Sequence, residues 1–509
     1  MNRSIANLQF FFVRKSIFLK NHGIFNPLNE AYYMTVTQFY GLLKTHFPHN
    51  TTLKQDIALQ LLSKFVLSEA KDSVFLLKGY AGTGKTTITG TLVKNLWKAK
   101  MKSVLLAPTG RAAKVISGYA GQEAFTIHKK IYYPKAKKGG GVSFTLQKNK
   151  HRDTLFMVDE ASMIPDINQD AKLFENGSLL DDLMQYIYSG HNCKLLLIGD
   201  TAQLPPVKLD VSPALDARLL ENQFNKNVVE LELDDVVRQQ ENSGILHNAT
   251  RLRSILNEGI FDRFKFSGKI FPDIIRPADG MEIMDALQEH FSDETDDDTV
   301  FIVRSNKRAN LYNQSIRSRI LFQEDELSTG DRLMVVKNNY HWVSAESDAG
   351  FIANGDIVEV LEIFRFVDLY GFRFAEVKVQ MADYPKMKAF ETVLLLDTLS
   401  SETPSLTYED SNKLYQEVSK DYSDEKSNYK RFMSVKKNRY FNALQVKFSY
   451  AITCHKSQGG QWANVFVEQP YLPNGIDKDY LRWLYTAITR AQDKLYLIGF
   501  KEDFFEEEM

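Results

Sequence analysis

The sequence predicts an α/β fold made twice over, two parallel sheets each flanked by helices. Three observations carry that expectation. Residues Gly79–Thr86 read Gly-Tyr-Ala-Gly-Thr-Gly-Lys-Thr, between the apolar run Val74–Leu77 and a helix-like stretch from Thr86 to Trp97. Short apolar runs alternate with helical stretches in two series, the rhythm of βαβ units and parallel sheets. Polar and charged residues fall just beyond the runs, at the edge where open α/β sheets bind ligands.

The first series comprises Val74–Leu77, Val104–Ala107, Leu155–Val158, Leu195–Ile198 and Val228–Leu231. The second comprises Val300–Val303, Leu333–Val336, Phe448–Ile452, Val465–Val467 and Leu495–Ile498, with the junction near Asp234–Asn242. Two segments break the rhythm. Residues 131–152 read as two short strands around a Lys/Gly turn. Residues 336–446 hold strand-like pieces (Ile357–Ile363, Phe372–Val379, Thr392–Leu396) and then a charged helical stretch, which reads as a β-rich insert with a helical arm. Asp293–Asp298 reads as a solvated acidic loop.

A chain of 509 residues is too long for one core and fits about three domains. A formal net charge of −1 excludes a globally basic nucleic-acid coat but leaves room for a local basic groove. Two cysteines, Cys193 and Cys454, give no disulfide framework or zinc spacing, which fits a reducing cytoplasm. Apolar runs stay short of a membrane span. An amphipathic stretch, Thr35–Phe47, begins right after Met34, so residues 1–33 are either a poorly ordered extension or the product of start-site choice.

The pattern G-x-x-x-x-G-K-T between strand and helix is a phosphate loop: its glycines turn successive N–H groups inward at the positive end of a helix. Gly79, Tyr80, Ala81, Gly82, Thr83, Gly84, Lys85, Thr86 and Thr87 are therefore the expected ATP-binding residues. Lys85 would reach the terminal phosphates, and the Thr86 hydroxyl would ligate Mg²⁺. Asp159-Glu160-Ala161-Ser162 ends another apolar run. An aspartate there holds the Mg²⁺ shell and the neighbouring glutamate orients or deprotonates water, although such a pair elsewhere is an ordinary helix N-terminal feature. Gly199-Asp200-Thr201-Ala202-Gln203 runs into Pro205-Pro206, a stiffened loop in which Gln203 could sense a γ-phosphate.

These segments resemble motifs I, II and III of superfamily-one helicases, and further matches follow in order over residues 50–500. Gln55 resembles the adenine-reading glutamine, Ala107–Ala113 motif Ia, and Thr126–Lys129 motif Ib. Val236–Gln239 resembles motif IV, Thr453–Gly459 motif V, and Tyr485–Ala491 motif VI. Gln-Leu-Pro-Pro-Val after Gly-Asp, and Asp-Glu-Ala-Ser, resemble the RecD/Dda/Pif-type branch. Cys454 and Gly460-Gln461-Trp462 depart from the usual motif V wording.

The resemblance implies two RecA-like domains with a β-hairpin pin and an SH3-like insert. The expected boundaries are 34–130 with 153–235 for domain 1A, 131–152 for the pin, 236–335 with 447–509 for domain 2A, and 336–446 for the insert. It implies an ATP-dependent helicase moving 5′→3′ on single-stranded DNA, using ATP and Mg²⁺ (on Thr86 and Asp159) and acting as a monomer at single-strand/duplex junctions, with replication, repair, recombination and mobile-element transfer all open as the pathway served. Catalysis would fall to Lys85, Thr86, Asp159, Glu160, Gln203, Arg238 and Arg490, the two arginines arriving from the second domain. Thr109, Arg111, His128, Thr453, His455 and Lys456 would touch DNA, with Trp342 and Trp462 as candidate stacking rings. Lys135, Lys137 and Lys138 either meet the duplex fork or form a flexible basic tip. The competing function is a P-loop ATPase that remodels protein or nucleoprotein without strand separation.

Overall fold

In the computed structural model, residues 34–507 are described apart from 137–141, 166–176, 208, 236–242, 268–270, 292–297, 345–346, 348 and 350. Residues Val36–Met509 form one compact unit. Arg238, Lys137, Lys138 and nearly all of the acidic run 293–298 lie outside the described residues, as do residues 1–33.

The chain opens with α1 (Val36–Thr45), which buries Phe39 and Leu43, and α2 (Leu53–Leu67). Thr52 and Gln55 start α2 with a reciprocal capping box. Then follow β1 (Ser73–Gly79), α3 (Lys85–Asn95), β2 (Lys102–Ala107), α4 (Gly110–Ala120), β3 (Ala124–Thr126) and α5 (Ile127–Ile131). The hairpin strands β4 (Tyr132–Ala136) and β5 (Val142–Leu146) pair antiparallel. The chain returns through β6 (Arg152–Val158), α6 (Leu179–Tyr188), β7 (His191–Gly199), α7 (Ala217–Phe224) and β8 (Asn227–Leu233). All six core strands run parallel in the order β3-β2-β6-β7-β1-β8. Their near-continuous apolar runs are buried because helices cover both faces.

The second half begins with α8 (Gly244–Glu258), β9 (Ile274–Ile275), α9 (Gly280–Phe291), β10 (Thr299–Val303) and α10 (Asn306–Arg319). A closed barrel interrupts it: β11 (Arg332–Val335), β12 (Ile357–Leu369), β13 (Phe372–Met381), β14 (Phe390–Leu395), and, after the arm helices α11 (Tyr408–Lys420) and α12 (Asn428–Lys437), β15 (Leu444–Phe448). The chain then completes the second sheet with β16 (Ala451–Thr453), α13 (Cys454–Ser457), β17 (Trp462–Glu468), α14 (Lys478–Ile488) and β18 (Ala491–Ile498). That sheet is parallel, in the order β16-β10-β17-β18-β9.

Two expectations need correction. Leu333–Val336 belongs to the barrel and not to the second parallel sheet, because β11 pairs antiparallel with both β12 and β15. Closing a barrel requires its first and last strands to meet, so its strands run from Arg332 to Phe448. The run Phe448–Ile452 is likewise two strands. Asn313 marks the break, donating to the Phe448 and Ala451 carbonyls (3.4 and 2.8 Å) and accepting from the Ala451 amide (2.7 Å). The strands of the hairpin end at Leu146, and Asn149 donates to the Tyr186 and Ile187 carbonyls, fixing the return to the sheet.

Where barrel and second sheet meet, Arg317 is clamped two ways on Asp331 (2.7 and 2.8 Å), both side chains being almost wholly buried. Removing one partner of a buried pair leaves a charge that nothing compensates. Arg317→Met should lower unfolding stability by about 3–5 kcal/mol, read from denaturant midpoints.

Candidate active site and groove

The phosphate loop links β1 to α3, with β7 and β8 on either side of β1. Gly82 and Gly84 adopt φ of 75° and 87°, a left-handed region that glycine enters without a Cβ penalty. Lys85 Nζ donates to the Gly79 and Tyr80 carbonyls (2.6 and 2.8 Å), so the ammonium lies inside the loop. Thr83 is buried and its hydroxyl closes the loop on the Tyr80 carbonyl (2.8 Å). Tyr80 turns its hydroxyl to Glu232 and carries the Arg253 guanidinium over its ring at 4.2 Å.

Gln55 Oε1 accepts from the Thr52 amide at the start of α2 (3.1 Å) and its Nε2 donates to the Thr83 carbonyl of the phosphate loop (3.0 Å), so the side chain bridges helix and loop. A Cβ on Gly84 would stand 2.5 Å from that Nε2.

At the tip of β6, Asp159 accepts from the Glu160 amide (2.9 Å) and from the Tyr119 hydroxyl (2.6 Å). Glu160 sits at φ 50°, an uncommon conformation for a residue with a side chain. Burial raises the Glu160 carboxyl to about 7, opposed by the nearby positive charges of Arg490 and Lys85 and assisted by Asp159 and Asp200. The fields of Lys85, Arg490, Asp159 and Asp200 thus all act on Glu160.

The second half of the chain supplies part of this site. The Tyr485 hydroxyl on α14 accepts from the Ala81 amide of the phosphate loop (3.1 Å) and donates to Asp200 (2.7 Å). The Leu204 amide donates to Thr486 Oγ1 (2.9 Å), and Gln458 donates to the Leu204 carbonyl (2.9 Å). Arg490 is buried, its guanidinium shaped by the Thr486 and Gly460 carbonyls (3.0 and 3.3 Å). Gln203 Oε1 and Ser162 Oγ have no hydrogen-bond partner among the described residues, and both residues line a cavity of 300 Å³ with Asp200. For a hard cation the chemistry fits: Thr86 and Asp159 offer oxygen donors only.

A groove of 1890 Å³ runs past both sheets, the barrel and the base of the hairpin. Thr109, Arg111, His128, Thr453, His455 and Lys456 all line it. Burial lowers His128 to about 4 and Lys456 to about 8, and pushes His455 down as well. Both histidines are therefore neutral at pH 7. Thr109 also caps α4, accepting from the Ala112 amide (3.2 Å). Trp462 is only 2 % exposed, with the Arg111 guanidinium 4.1 Å above its ring, so it supports Arg111 and is not a stacking platform. Trp342 is half-buried, its indole N–H donating to the Asn442 carbonyl (2.7 Å). The exposed rings along the groove are Tyr340 and Tyr408, which the sequence reading did not single out. Nor did it single out Tyr119, Arg253 or the hydroxyl of Tyr485. Only Tyr485 carried a signal, its place at the head of the last motif.

Comparison with known proteins agrees with this geometry. The AAA domain family matches residues 62–270, and the UvrD-like helicase C-terminal domain family matches residues 448–498. Protein MJ1519 of Methanocaldococcus jannaschii is 25 % identical over 475 residues, 87 % of this chain. The chain spans only 38 % of that relative's length. The ATP-dependent DNA helicase dda of phage T4 is 22 % identical over 451 residues, covering 83 % of this chain and 93 % of its own. A Pif1 helicase structure from Bacteroides, with ADP-AlF3 and single-stranded DNA, has a TM-score of 0.45 and 15 % identity, covering 90 % of this chain and 94 % of that one. The fold is that of a P-loop protein with two RecA-like parallel-sheet domains and a closed, SH3-like barrel inserted in the second. Its family matches and relatives make the chain similar to superfamily-one helicases of the RecD/Dda/Pif type. No helix among the described residues is long and apolar enough to cross a membrane.

Gly110 is where α4 meets the barrel: a Cβ there would stand 1.9 Å from Ala353 Cβ. Gly110→Ala should force the two apart, at a cost of roughly 1–3 kcal/mol for overpacking. Hydrogen exchange should quicken in residues 107–113 and 351–356 while the rest of the sheet keeps its protection.

Proposed function

We propose that this chain is a monomeric motor that spends ATP to move 5′→3′ along single-stranded DNA and to part the duplex ahead of it. The observation that carries the reading is the double contribution of α14 and its neighbours. Tyr485 closes the nucleotide loop, while Thr453, His455 and Lys456, from the same half of the chain, line the groove. A change in how the halves meet at one place must alter the other.

In hydrolysis, Lys85 and Arg490 oppose the charge that gathers on the terminal phosphate, a role worth about 10³–10⁵ in turnover for an arginine finger. Arg238 is the second guanidinium of the proposed set. Glu160 takes the proton of the attacking water, and the Gln203 amide oxygen is an acceptor that can orient the same water. Thr86 and Asp159 are the residues proposed to hold Mg²⁺, which when bound draws off phosphate charge. In the groove, Thr109, Arg111 and Lys456 hold phosphates and Tyr340 and Tyr408 offer faces to bases, a sequence-tolerant mode of binding. The hairpin enters at its base through Tyr132 and Phe144, which line the groove, and the proposed pin is its strand pair. Direction of travel rests on the resemblance to the RecD/Dda/Pif branch.

Duplexes bearing a 5′ or a 3′ single-stranded tail test the proposal directly. Unwinding should require the 5′ tail and vanish in Lys85→Ala. Activity confined to 3′ tails overturns the polarity. DNA-stimulated hydrolysis with no unwinding on either substrate favours nucleoprotein remodelling.

The pH profile is a second test. A base works only when ionised, so kcat/KM for ATP should rise about tenfold per pH unit up to about 7 and level off above it. Glu160→Gln should remove that rise and lower turnover by about 10²–10⁴.

A further inference from the structure

Tyr119 lies in the last turn of α4 and belongs to none of the motifs that define the family. Its hydroxyl has one hydrogen, and that hydrogen goes to Asp159 Oδ2 at 2.6 Å, because a carboxylate only accepts. Thr86 is close enough to act on the same hydroxyl, so Thr86, Tyr119 and Asp159 stand together. The Asp159 carboxylate is fixed from both sides, by Tyr119 on Oδ2 and by the Glu160 amide on Oδ1.

The other end of α4 lies in the groove. The helix has eleven residues, about 16 Å at 1.5 Å per residue. Thr109 caps it and Arg111 stacks on Trp462 of the second sheet. Lys114 reaches into the barrel, donating to the buried Asp356 at 2.5 Å. A Cβ on Gly459, beside motif V, would stand 2.8 Å from Ala112 Cβ. The barrel and the second sheet therefore grip the N-terminal half of the helix, and the nucleotide site grips its C-terminal turn.

We propose that Tyr119 is a positioning residue for Asp159, one of the two residues proposed above to hold Mg²⁺, and that α4 makes its hold on that carboxylate depend on what occupies the groove. The inference rests on the helicase reading above and assigns a residue and a route that the reading does not contain. A rigid helix shifted by a strand in the groove moves the Tyr119 hydroxyl relative to Asp159, so DNA tunes the cation site without touching it.

The test uses the full chain, wild type and Tyr119→Phe, which keeps the ring and removes the hydroxyl. Binding of a fluorescent ADP analogue is measured across a Mg²⁺ titration and in EDTA. ATP turnover is measured across the same titration with and without oligothymidylate. In the variant the Mg²⁺ concentration giving half-maximal nucleotide binding should rise at least fivefold, with affinity in EDTA unchanged. Stimulation by oligothymidylate should fall at least threefold. Lys114→Ala, which keeps the hydroxyl and loosens the helix from the barrel, should leave the Mg²⁺ midpoint without DNA in place and reduce the stimulation. A Tyr119→Phe midpoint within twofold of wild type overturns the positioning role, and full stimulation in Lys114→Ala overturns the route. A wild-type chain that hydrolyses no ATP with Mg²⁺ and oligothymidylate sinks the helicase reading itself, an outcome distinct from either.

Discussion

One hydroxyl ties the two halves of this molecule to a single nucleotide site. Tyr485 is fully enclosed, and burial together with the Asp200 charge keeps its phenol neutral far beyond any working pH. A neutral phenol both donates and accepts, and here it does each once: to Asp200 of the first sheet and from the Ala81 amide of the phosphate loop. An amide of a phosphate loop is a ligand for phosphate oxygen. Tyr485 thus holds from the second sheet a group that the nucleotide also wants. Arg490, five residues on in the same segment, bears on Glu160. Groups from the second half of the chain thus stand against the phosphate loop and Glu160 of the first.

The groove has a charge of its own. Arg111, Lys129, Arg304, Lys307, Lys337, Lys436 and Lys456 line it against the single carboxylate of Glu402. With a net charge of −1 the chain has no broad positive field, so its basic character is concentrated in this one concavity. The exposed rings of Tyr340 and Tyr408 stand among those cations, and the two neutral histidines add hydrogen-bonding capacity without charge.

Much of this was legible in the residues, and the reasons are physical. A phosphate loop needs glycines with positive φ and a lysine at fixed spacing, so the chemistry writes itself into local sequence at Gly79–Thr86. Asp159, Gln203 and Arg490 stand in similarly short motifs. The illegible features all depend on partners far along the chain. Leu333–Val336 has the same apolar run whether it joins a parallel sheet or a barrel, and only pairing with β12 and β15 decides. Trp462 looked like a platform because nothing in its neighbourhood announces that Arg111 covers it. Gln55 sits in a short local motif, but its bridge from Thr52 to Thr83 of the phosphate loop needs the fold to be seen. Tyr119 is one tyrosine among 23, and its place beside Asp159, forty residues away, is a product of the β2–β6 pairing.

The contacts that join the halves around the phosphate loop are both polar and apolar. Tyr485 bonds the Ala81 amide and Asp200, Thr486 accepts from the Leu204 amide, Gln458 donates to the Leu204 carbonyl, and Asn257 donates to the Tyr80 hydroxyl. Tyr80, Ala202 and Leu204 of the first half are buried in the same apolar cluster as Ile245, Trp462 and Tyr485 of the second. Each hydrogen bond contributes a net of about 0.5–1.5 kcal/mol, and the buried apolar surface adds to them. Asp200 and the Ala81 amide are thus held by the same packing that joins the two halves.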